Sequence, residues 1–364
     1  MSGSRLRTPL CDLLGIRVPI LLAGMANGPS TPELAAAVTR AGGLGVLAAS
    51  GLTCAELERD MARVRELVPG GRFGVNAQLA GPTPATGERA RIVAVLAPFR
   101  RELGLPDEPP EPAPAASAVE LIECALAGGA AVITTFDDPA PVAEATHAAG
   151  ARLLPMVTTV GEARRARACG ADGLIAQGGE AGGHRGTYGG GEARGGGTVA
   201  LVPQVADEAA GLPVLASGGI MDGRGIVAAL ALGAQGVSLG TCFLASAESG
   251  VAEAYAAVVP ETRAERTVVT DLVTGRPARW IRNRLLDALV EADPGTLGWG
   301  PQTRLVADLR RAASEQGRAD ILPMLAGEGA ALSAEREPAA RIVARLEREA
   351  EAVLAALTTG PAGT

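Results

Sequence analysis

Lysine is absent from this chain, and all 33 of its basic residues are arginine. A protein without lysine cannot form a lysine Schiff base with pyridoxal phosphate or a carbonyl substrate, and it cannot carry the lysine of a Walker A loop. Aromatic residues make up only 2% of the chain, and there are only two histidines. Any aromatic or imidazole group in a candidate site is therefore drawn from a very small set.

Signals for zinc binding, export, membrane insertion and nucleic-acid binding are also lacking. The five cysteines are odd in number and include no CxxC pair, which predicts a reduced protein without a structural zinc site. No apolar run approaches the roughly 20 residues of a membrane span, and the first residues lack a signal-peptide core. A net charge of −7 argues against a nucleic-acid partner. We therefore expect a cytoplasmic protein that acts on a small molecule, and the sequence leaves a homodimer open.

Short apolar runs alternate with alanine-rich amphipathic segments along most of the 364 residues. The runs predict eight strands, at residues 18–23, 44–49, 73–79, 130–136, 152–157, 173–177, 213–217 and 236–239. The segments between them predict helices at residues 32–41, 55–67, 119–127, 141–149, 161–169, 199–210, 224–232 and 247–258. Continuous apolar strands separated by helices are typical of parallel sheets, so the predicted fold class is α/β, a (β/α)8 TIM barrel. A doubly wound open sheet is the alternative, because the pattern alone does not show closure.

Two segments depart from this alternation. Residues 80–117 are rich in proline and are predicted to be a surface excursion with one helix over 88–103. Residues after about 259 are predicted to form a mostly helical lid or side domain at the barrel mouth, which ends in a charged helix over 340–357. The expected domains are thus a barrel over 1–258 and a C-terminal lid segment over 259–364.

The sequence GGEAGGHRG, residues 178–186, places one of the two histidines in a glycine-rich loop after the sixth predicted strand. An imidazole titrates near neutral pH and can take a proton from a substrate, so His184 is the candidate base. The flanking glycines allow the backbone to approach a flat ligand closely. Glu180 is predicted either to orient the ring, to contact a cofactor, or to be a plain loop carboxylate. The following glycine-heavy run, residues 187–197, is expected to form a lid.

The ends of the last two predicted strands carry small residues that suit a phosphate. Ser217, Gly218 and Gly219 follow the seventh strand and lead into a helix, while Gly240 and Thr241 follow the eighth. In TIM barrels these two loops often hold a phosphate through backbone N–H groups and a helix N-terminus. The layout predicts a phosphate site across the barrel mouth from His184.

Together these motifs resemble the nitronate monooxygenase family, once called 2-nitropropane dioxygenases, which also contains FMN-dependent enoyl-ACP reductases. The resemblance spans about residues 14–332 and rests on ILLAGMANGPSTPELAAAVTRAGGLG, FGVN, GGEAGGHRG, PVLASGGIMDGRGIVAALALGAQGVSLGTCFL and GRPARWIRN. It implies a TIM barrel with noncovalent FMN and with His184 as the catalytic base. The residues counted with the cofactor site are Ala23, Gly24, Met25, Asn76, Gln177, Glu180, Gly183, Ser217, Gly218, Gly219, Gly240 and Thr241.

The implied reaction is oxidation of a nitroalkane or nitronate by O2 to a carbonyl compound and nitrite. The alternatives are an NAD(P)H-dependent enoyl-thioester reductase, a tailoring oxidase or dehydrogenase of a specialised metabolite, and a barrel that binds flavin without catalysis. The sequence departs from some relatives at the fifth strand, where they carry a lysine near the flavin and this chain has Met156 or a neighbour.

Overall fold

The computed structural model describes residues 5–79, 81, 83–110, 116–188, 195–333 and 336–359. Its strands are β1 (Ile20–Leu22), β2 (Gly45–Ala48), β3 (Phe73–Gln78), β4 (Val132–Phe136), β5 (Arg152–Val157), β6 (Leu174–Gln177), β7 (Gly183–His184), β8 (Val214–Ser217), β9 (Gly236–Leu239), β10 (Thr267–Thr270) and β11 (Ala278–Ile281). Its α-helices are α1 (Pro9–Leu14), α2 (Pro32–Arg40), α3 (Cys54–Leu67), α4 (Arg89–Glu102), α5 (Ala118–Ala127), α6 (Ala140–Ala148), α7 (Val160–Ala168), α8 (Thr198–Glu208), α9 (Gly223–Ala231), α10 (Thr241–Leu244), α11 (Glu253–Glu261), α12 (Arg284–Ala292), α13 (Pro301–Leu305), α14 (Ala307–Glu315) and α15 (Ala339–Thr359).

Eight of the strands form a closed parallel barrel. The ladder runs β1-β9-β8-β6-β5-β4-β3-β2, and a parallel bridge between Leu21 and Leu44 joins its two ends. The N–H of Leu22 donates to the carbonyl of Leu44 at 2.9 Å, which extends this closure. The predicted (β/α)8 barrel is confirmed, and all eight predicted strands are present. The open-sheet alternative is wrong because the first and second strands pair.

The barrel interior is filled by apolar side chains that point inward from the strands. Leu21, Leu154, Ile175 and Leu215 belong to this buried cluster, and Leu10 from α1 packs into the same cluster. A second layer of Val, Ile, Leu and Ala lies between the strands and the surrounding helices. The interior is therefore a packed core rather than a channel, as expected for a barrel of this size.

A side unit with its own core is built from two distant parts of the chain. Helix α4, from the proline-rich excursion, packs its Ile92 and Leu96 into one buried cluster with Leu286 of α12 and Leu309 of α14. The bidentate ion pair between Arg100 and Asp308, at 2.8 Å for each contact, joins the same two segments. The excursion is therefore more than a surface loop, although residues 80, 82 and 111–115 of it lie outside the described part.

The C-terminal segment is mostly helical, but it contributes a small sheet that the sequence pattern did not predict. Strands β10 and β11 pair antiparallel, and β11 pairs with β7. The motif GRPARWIRN thus contains a strand. Helix α15 then returns to the barrel and packs against α2 and α9, with Ile342 and Leu346 in the barrel's outer core. The division at residue 258 stays a prediction.

Two further expectations need correction. The helix predicted over 247–258 begins only at Glu253, because the preceding loop packs on the loop after β1: a Cβ on Gly250 would lie 2.4 Å from the carbonyl oxygen of Gly28. The cysteines are not all reduced, since Cys54 and Cys124 form a disulfide between α3 and α5. Within the described residues, no helix has the length and apolar character needed to span a membrane.

Candidate active site

The carboxyl ends of the barrel strands line a narrow cavity of about 20 Å³. It is lined by Leu21, Leu22, Ala23, Gly24, Asn76, Thr134, Phe136, Met156, Ile175 and Ser238. Three of the predicted cofactor residues, Ala23, Gly24 and Asn76, are in this wall. The end of a TIM barrel at which its strands finish is the face where active sites form.

Gly24 and Asn76 form a close contact in the wall of this cavity. A Cβ on Gly24 would lie 2.4 Å from the Cβ of Asn76, so only glycine fits at this position without a shift of the neighbouring strand. Asn76 is buried and donates its amide to the carbonyl and hydroxyl of Thr134, at 3.2 and 2.9 Å. Its Oδ1 receives no hydrogen bond within the described part of the chain, so it presents an acceptor at the cavity wall.

Backbone N–H groups of the turns Gly218–Gly219 and Gly240–Thr241 form a cradle of free donors at the ends of β8 and β9. Gly218 and Gly219 have φ angles of +113° and +71°, a conformation that glycine adopts without strain. The N–H groups of Gly218, Gly219, Gly240 and Thr241 donate to no acceptor among the residues that the structure describes. Successive free N–H groups of this kind are typical of phosphate sites.

The helix after β8 does not take part as the sequence suggested. The side chain of Asp222 accepts from the N–H groups of Arg224 and Gly225, and Glu349 of α15 accepts from Gly223. Two carboxylates therefore occupy the N-terminus of α9, and an anion there would meet like charge. The cradle consists of the two strand-end turns without that helix terminus.

Of the three roles predicted for Glu180, its hydrogen bonds among the described residues do not support orientation of the His184 ring, and contact with a cofactor stays a prediction. Its carboxylate accepts from the N–H and hydroxyl of Thr198 at 2.8–2.9 Å, which caps the start of α8. Its backbone carbonyl accepts from the N–H of Glu328, while the neighbouring Gly327 donates its N–H to the hydroxyl of Thr241 at 3.0 Å. Glu180 therefore fixes the loops around the cradle, and it forms no hydrogen bond with His184.

His184 is held in place by the backbone pairing of β7 and by Gln177. The buried Gln177 amide donates to the carbonyl of His184 at 2.9 Å and accepts from the N–H of Gly186 at 2.9 Å. Gly183, with a φ of +80°, pairs with Arg279 on β11, while His184 pairs with Ala278. Gln177 and Gly183 therefore act on the backbone that carries His184, and their predicted contact with a cofactor stays a prediction.

Among the described residues, the partners of the His184 imidazole ring come from the C-terminal segment. Its Nε2 lies 2.9 Å from the hydroxyl of Thr274. The rings of Trp299 and Trp280, which are the chain's two tryptophans, meet it edge to face with centroids 5.0 and 6.1 Å away. Burial, with the positive charges of Arg276 and Arg310, lowers the pKa of His184 to about 3. The ring is therefore a neutral imidazole near neutral pH.

A buried ion pair fixes the backbone that follows His184. Arg276 forms two hydrogen bonds with the carboxylate of Asp137 at 2.7 and 2.8 Å, and it also donates to the carbonyls of Arg185 and Thr187. Arg185 is itself buried and donates to the carbonyls of Gln177 and Gly178. These arginines connect the loop after β6 to the end of β4.

The beginning of the expected lid is tied down by a buried carboxylate. Glu162 of α7 accepts from the hydroxyl of Thr187 and from the N–H of Tyr188, both at 2.8 Å. Residues 189–194 of that run lie outside the described residues. The loop after His184 is thus anchored at its start on the neighbouring strand-helix turn.

Two other sulfur-containing residues can be placed. Met156 is a buried neutral side chain in the cavity wall, in contact with the loop at Gly186, so a thioether lies in the region where some relatives carry a lysine. Burial raises the pKa of the Cys242 thiol to about 12, which excludes a thiolate nucleophile near neutral pH.

The groups that surround His184 were not predicted from the sequence. Thr274 precedes the quoted motif GRPARWIRN, which contains Arg276 and Trp280, so the motif was noticed without a role for these residues. Trp299 belongs to none of the motifs that carry the family resemblance. Arg310 lies in helix α14, where nothing in the sequence distinguishes it from its arginine neighbours.

The fold is that of a TIM-barrel enzyme, with free backbone N–H groups and a neutral histidine at the C-terminal face of its barrel. A model of the nitronate monooxygenase family matches residues 7–349. A protein of Staphylococcus saprophyticus named probable nitronate monooxygenase is 36% identical over 335 residues, which cover 89% of this chain and 92% of that protein. The chain belongs to the nitronate monooxygenase family and is an oxidoreductase.

Solved structures agree with this assignment. A nitroalkane oxidase from Streptomyces ansochromogenes matches with a TM-score of 0.84 and 36% identity over 96% of this chain and 100% of its own. FabK from Thermotoga maritima matches with a TM-score of 0.76 and 30% identity over 97% of this chain and 99% of its own.

Proposed function

We propose that this protein is an FMN-dependent enzyme that oxidises a nitronate or nitroalkane with O2 to a carbonyl compound and nitrite. The observation that carries this proposal is the neutral His184 at the mouth of the barrel, near a cavity with flavin-compatible walls. Membership of the family indicates the class of reaction. The residues of this chain determine whether it can catalyse that reaction.

The residues present fit FMN. Gly24 leaves a flat surface beside the cavity, and Asn76 offers an acceptor for a ring N–H group. The free N–H groups of Gly218, Gly219, Gly240 and Thr241 would hold the phosphate, whose oxygens accept hydrogen bonds. The neighbouring Ala23 and Met25 would line the same ring. When bound, FMN supplies the two-electron redox chemistry that no side chain of the protein can provide.

His184 would act as a base through Nδ1. The hydroxyl of Thr274 donates a hydrogen bond to the carbonyl of Arg276 at 3.3 Å. The hydroxyl oxygen of Thr274 is therefore left to accept a hydrogen bond from the N–H at Nε2 of His184. This arrangement selects the tautomer with hydrogen on Nε2 and leaves the lone pair on Nδ1 free. A neutral nitroalkane would lose its acidic proton to Nδ1, whereas a substrate that arrives as a nitronate would need no base.

The two tryptophans would shape the substrate side of the site. Trp280 is almost fully buried and donates its indole N–H to the carbonyl of Thr270 at 3.1 Å, so its position is fixed. Trp299 is partly exposed and lies closer to His184. Flat apolar rings at this distance exclude water from the imidazole and favour small organic substrates.

The test is anaerobic mixing of the FMN-loaded protein with ethylnitronate, and separately with NADH or NADPH, followed by visible absorbance. We expect rapid bleaching of the flavin by ethylnitronate, and nitrite with a carbonyl product once O2 is admitted. His184→Asn should reduce turnover of neutral nitroethane by about 100-fold or more and affect ethylnitronate much less. Bleaching of the flavin by NADPH and not by ethylnitronate would instead support the alternative function, an enoyl-thioester reductase, with which the similarity to FabK is consistent. Failure of the protein to take up FMN would refute the proposal.

A further inference from the structure

A short loop of the C-terminal segment, residues 326–329, lies against both turns of the cradle. At one end of the loop, the N–H of Gly327 donates to the hydroxyl of Thr241 at 3.0 Å. At the other end, a Cβ on Gly329 would lie 3.3 Å from the carbonyl oxygen of Gly219. Thr241 and Gly219 also carry two of the N–H groups that donate to no acceptor in the described part of the chain. The loop therefore spans the distance between the two turns whose donors are free.

Close approach, and not backbone conformation, explains the two glycines of this loop. Gly329 has an ordinary φ of −81°, and the φ of Gly327 is not positive either. A Cβ on Gly327 would lie 2.8 Å from the carbonyl oxygen of Glu180 and 3.0 Å from the nitrogen of Gly182. A Cβ on Gly329 would lie 2.7 Å from the Cγ of Met221. Side chains at these two positions would force the loop away from the turns that surround the cradle.

Arg279 holds the same loop through a charged contact. Its Nη2 lies 2.9 Å from a carboxylate oxygen of Glu328 and donates to the carbonyl of Gly179 at 2.8 Å. Glu328 also donates its backbone N–H to the carbonyl of Glu180 at 3.0 Å. The loop is thus fixed on the chain before His184 as well as on Thr241. Because the acidic side chain of the loop is paired with a cation, its repulsion of an anion in the cradle is reduced.

We propose that residues 326–329 form a third wall of the phosphate site, beside the two strand-end turns, and that Thr241 is the positioning residue that holds this wall in place. The inference rests on the proposed function, because the phosphate is that of FMN. Hydrogen bonds from N–H groups to a charged phosphate are stronger where water is excluded. A loop that packs on both turns excludes water from the space between them, so the C-terminal segment contributes to cofactor affinity without contacting the flavin ring.

The test compares FMN with riboflavin, which has the same ring and ribityl chain but no phosphate. The dissociation constants of the cofactor-free protein for both flavins are measured by quenching of flavin fluorescence. Thr241→Val replaces the hydroxyl by a methyl group and leaves the N–H of Gly327 without its acceptor. We expect about tenfold or more weaker binding of FMN, with the affinity for riboflavin changed by less than about twofold. Thr241→Ser keeps the hydroxyl and should retain the wild-type affinity for FMN.

Gly327→Ala tests the close approach of the loop separately. Its methyl group would lie 2.8 Å from a backbone oxygen, so the loop must move, and the affinity for FMN should again fall by about tenfold or more with little change for riboflavin. Gly161→Ala is the matched control, because Gly161 is exposed on α7 and the nearest atom to an added Cβ there is 3.9 Å away. It should leave both affinities unchanged.

Equal losses of FMN and riboflavin affinity in Thr241→Val and Gly327→Ala would show that the loop supports the fold and not the phosphate, which would overturn the inference. Wild-type affinity for FMN in both variants would overturn it as well. A wild-type protein that binds FMN but does not oxidise ethylnitronate would refute the proposed reaction, and the comparison of FMN with riboflavin would still decide the role of the loop. Failure of the wild-type protein to bind FMN would overturn both.

Discussion

The low pKa of His184 predicts how the free energy of unfolding depends on pH. In the unfolded chain the imidazole titrates at its ordinary pKa of 6.5, whereas in the folded protein burial and two nearby arginines lower that pKa to about 3. Because the folded pKa is depressed, protons bind the unfolded state preferentially as the pH falls below 6.5. The stabilisation is therefore fully present above pH 6.5 and is lost progressively towards pH 3.

The size of the loss follows from the two pKa values. Between pH 7 and pH 5 the folded imidazole stays neutral while the unfolded one becomes protonated, which costs about 2 kcal/mol of unfolding free energy. We expect cofactor-free wild-type protein to lose about 2 kcal/mol more than His184→Gln over this interval, as measured by urea unfolding. His147→Gln is the control, because His147 is the only other histidine and lies exposed on α6. The His147→Gln protein should lose as much unfolding free energy between pH 7 and pH 5 as the wild type does. Parallel pH profiles for wild type and His184→Gln would show that the imidazole is not held neutral, and the mechanism built on it would fail.

Three further substitutions test the structure around the site. Gln177→Met removes both side-chain hydrogen bonds to the His184 loop and should cost about 2–4 kcal/mol in urea unfolding, with a fall in kcat greater than any change in FMN content. Gly24→Ala places a methyl group 2.4 Å from a side-chain carbon of the cavity wall, so the purified protein should lose flavin absorbance, while unchanged FMN affinity would exclude this wall from the site. Asp137→Asn leaves the buried Arg276 without its counter-charge and should cost about 3–5 kcal/mol in thermal or urea unfolding; a loss below 1 kcal/mol would mean that the pair is hydrated.

The barrel could be predicted because its sequence is consistent from strand to strand. Each strand is a short apolar run, and helices such as α3, α5 and α7 begin with a Ser or Thr whose capping box includes a glutamate three residues later. The apolar strands leave no solvent face, which favours a parallel sheet covered by helices. Eight repeats are the number that a TIM barrel requires. The pattern could not show that the barrel closes, which the structure shows in the pairing of β1 with the start of β2.

The small sheet at the barrel mouth could not be predicted in the same way. Its strands are four, four and two residues long, which is too short for a clear alternation of buried and exposed positions. The pairing of β7 with β11 also depends on contacts between residues about 90 positions apart, such as His184 with Ala278. The local sequence around His184 therefore indicated a glycine-rich loop but not the strand pairing that fixes it.

Glu180 shows why proximity in sequence is a poor guide to hydrogen-bond partners. It precedes His184 by four residues, yet its carboxylate binds Thr198 at the start of α8. Free N–H groups at a helix N-terminus attract a carboxylate, and the glycines of the intervening run allow the chain to bring the two together. The residue that does bind the imidazole, Thr274, lies 90 positions further along the chain.

The distant residues also determine what kind of base His184 can be. A motif match identifies the histidine, but burial sets its charge together with Arg276 and Arg310, and all three disfavour the imidazolium form. An imidazole in that field is a weak base towards a neutral substrate on its own. The same field stabilises a negative charge that develops on the substrate as its proton leaves. Proton removal at Nδ1 therefore depends on the charge balance of the Arg276–Asp137 pair, so the effects of His184→Asn and Asp137→Asn on turnover of neutral nitroethane should be less than additive in the double variant.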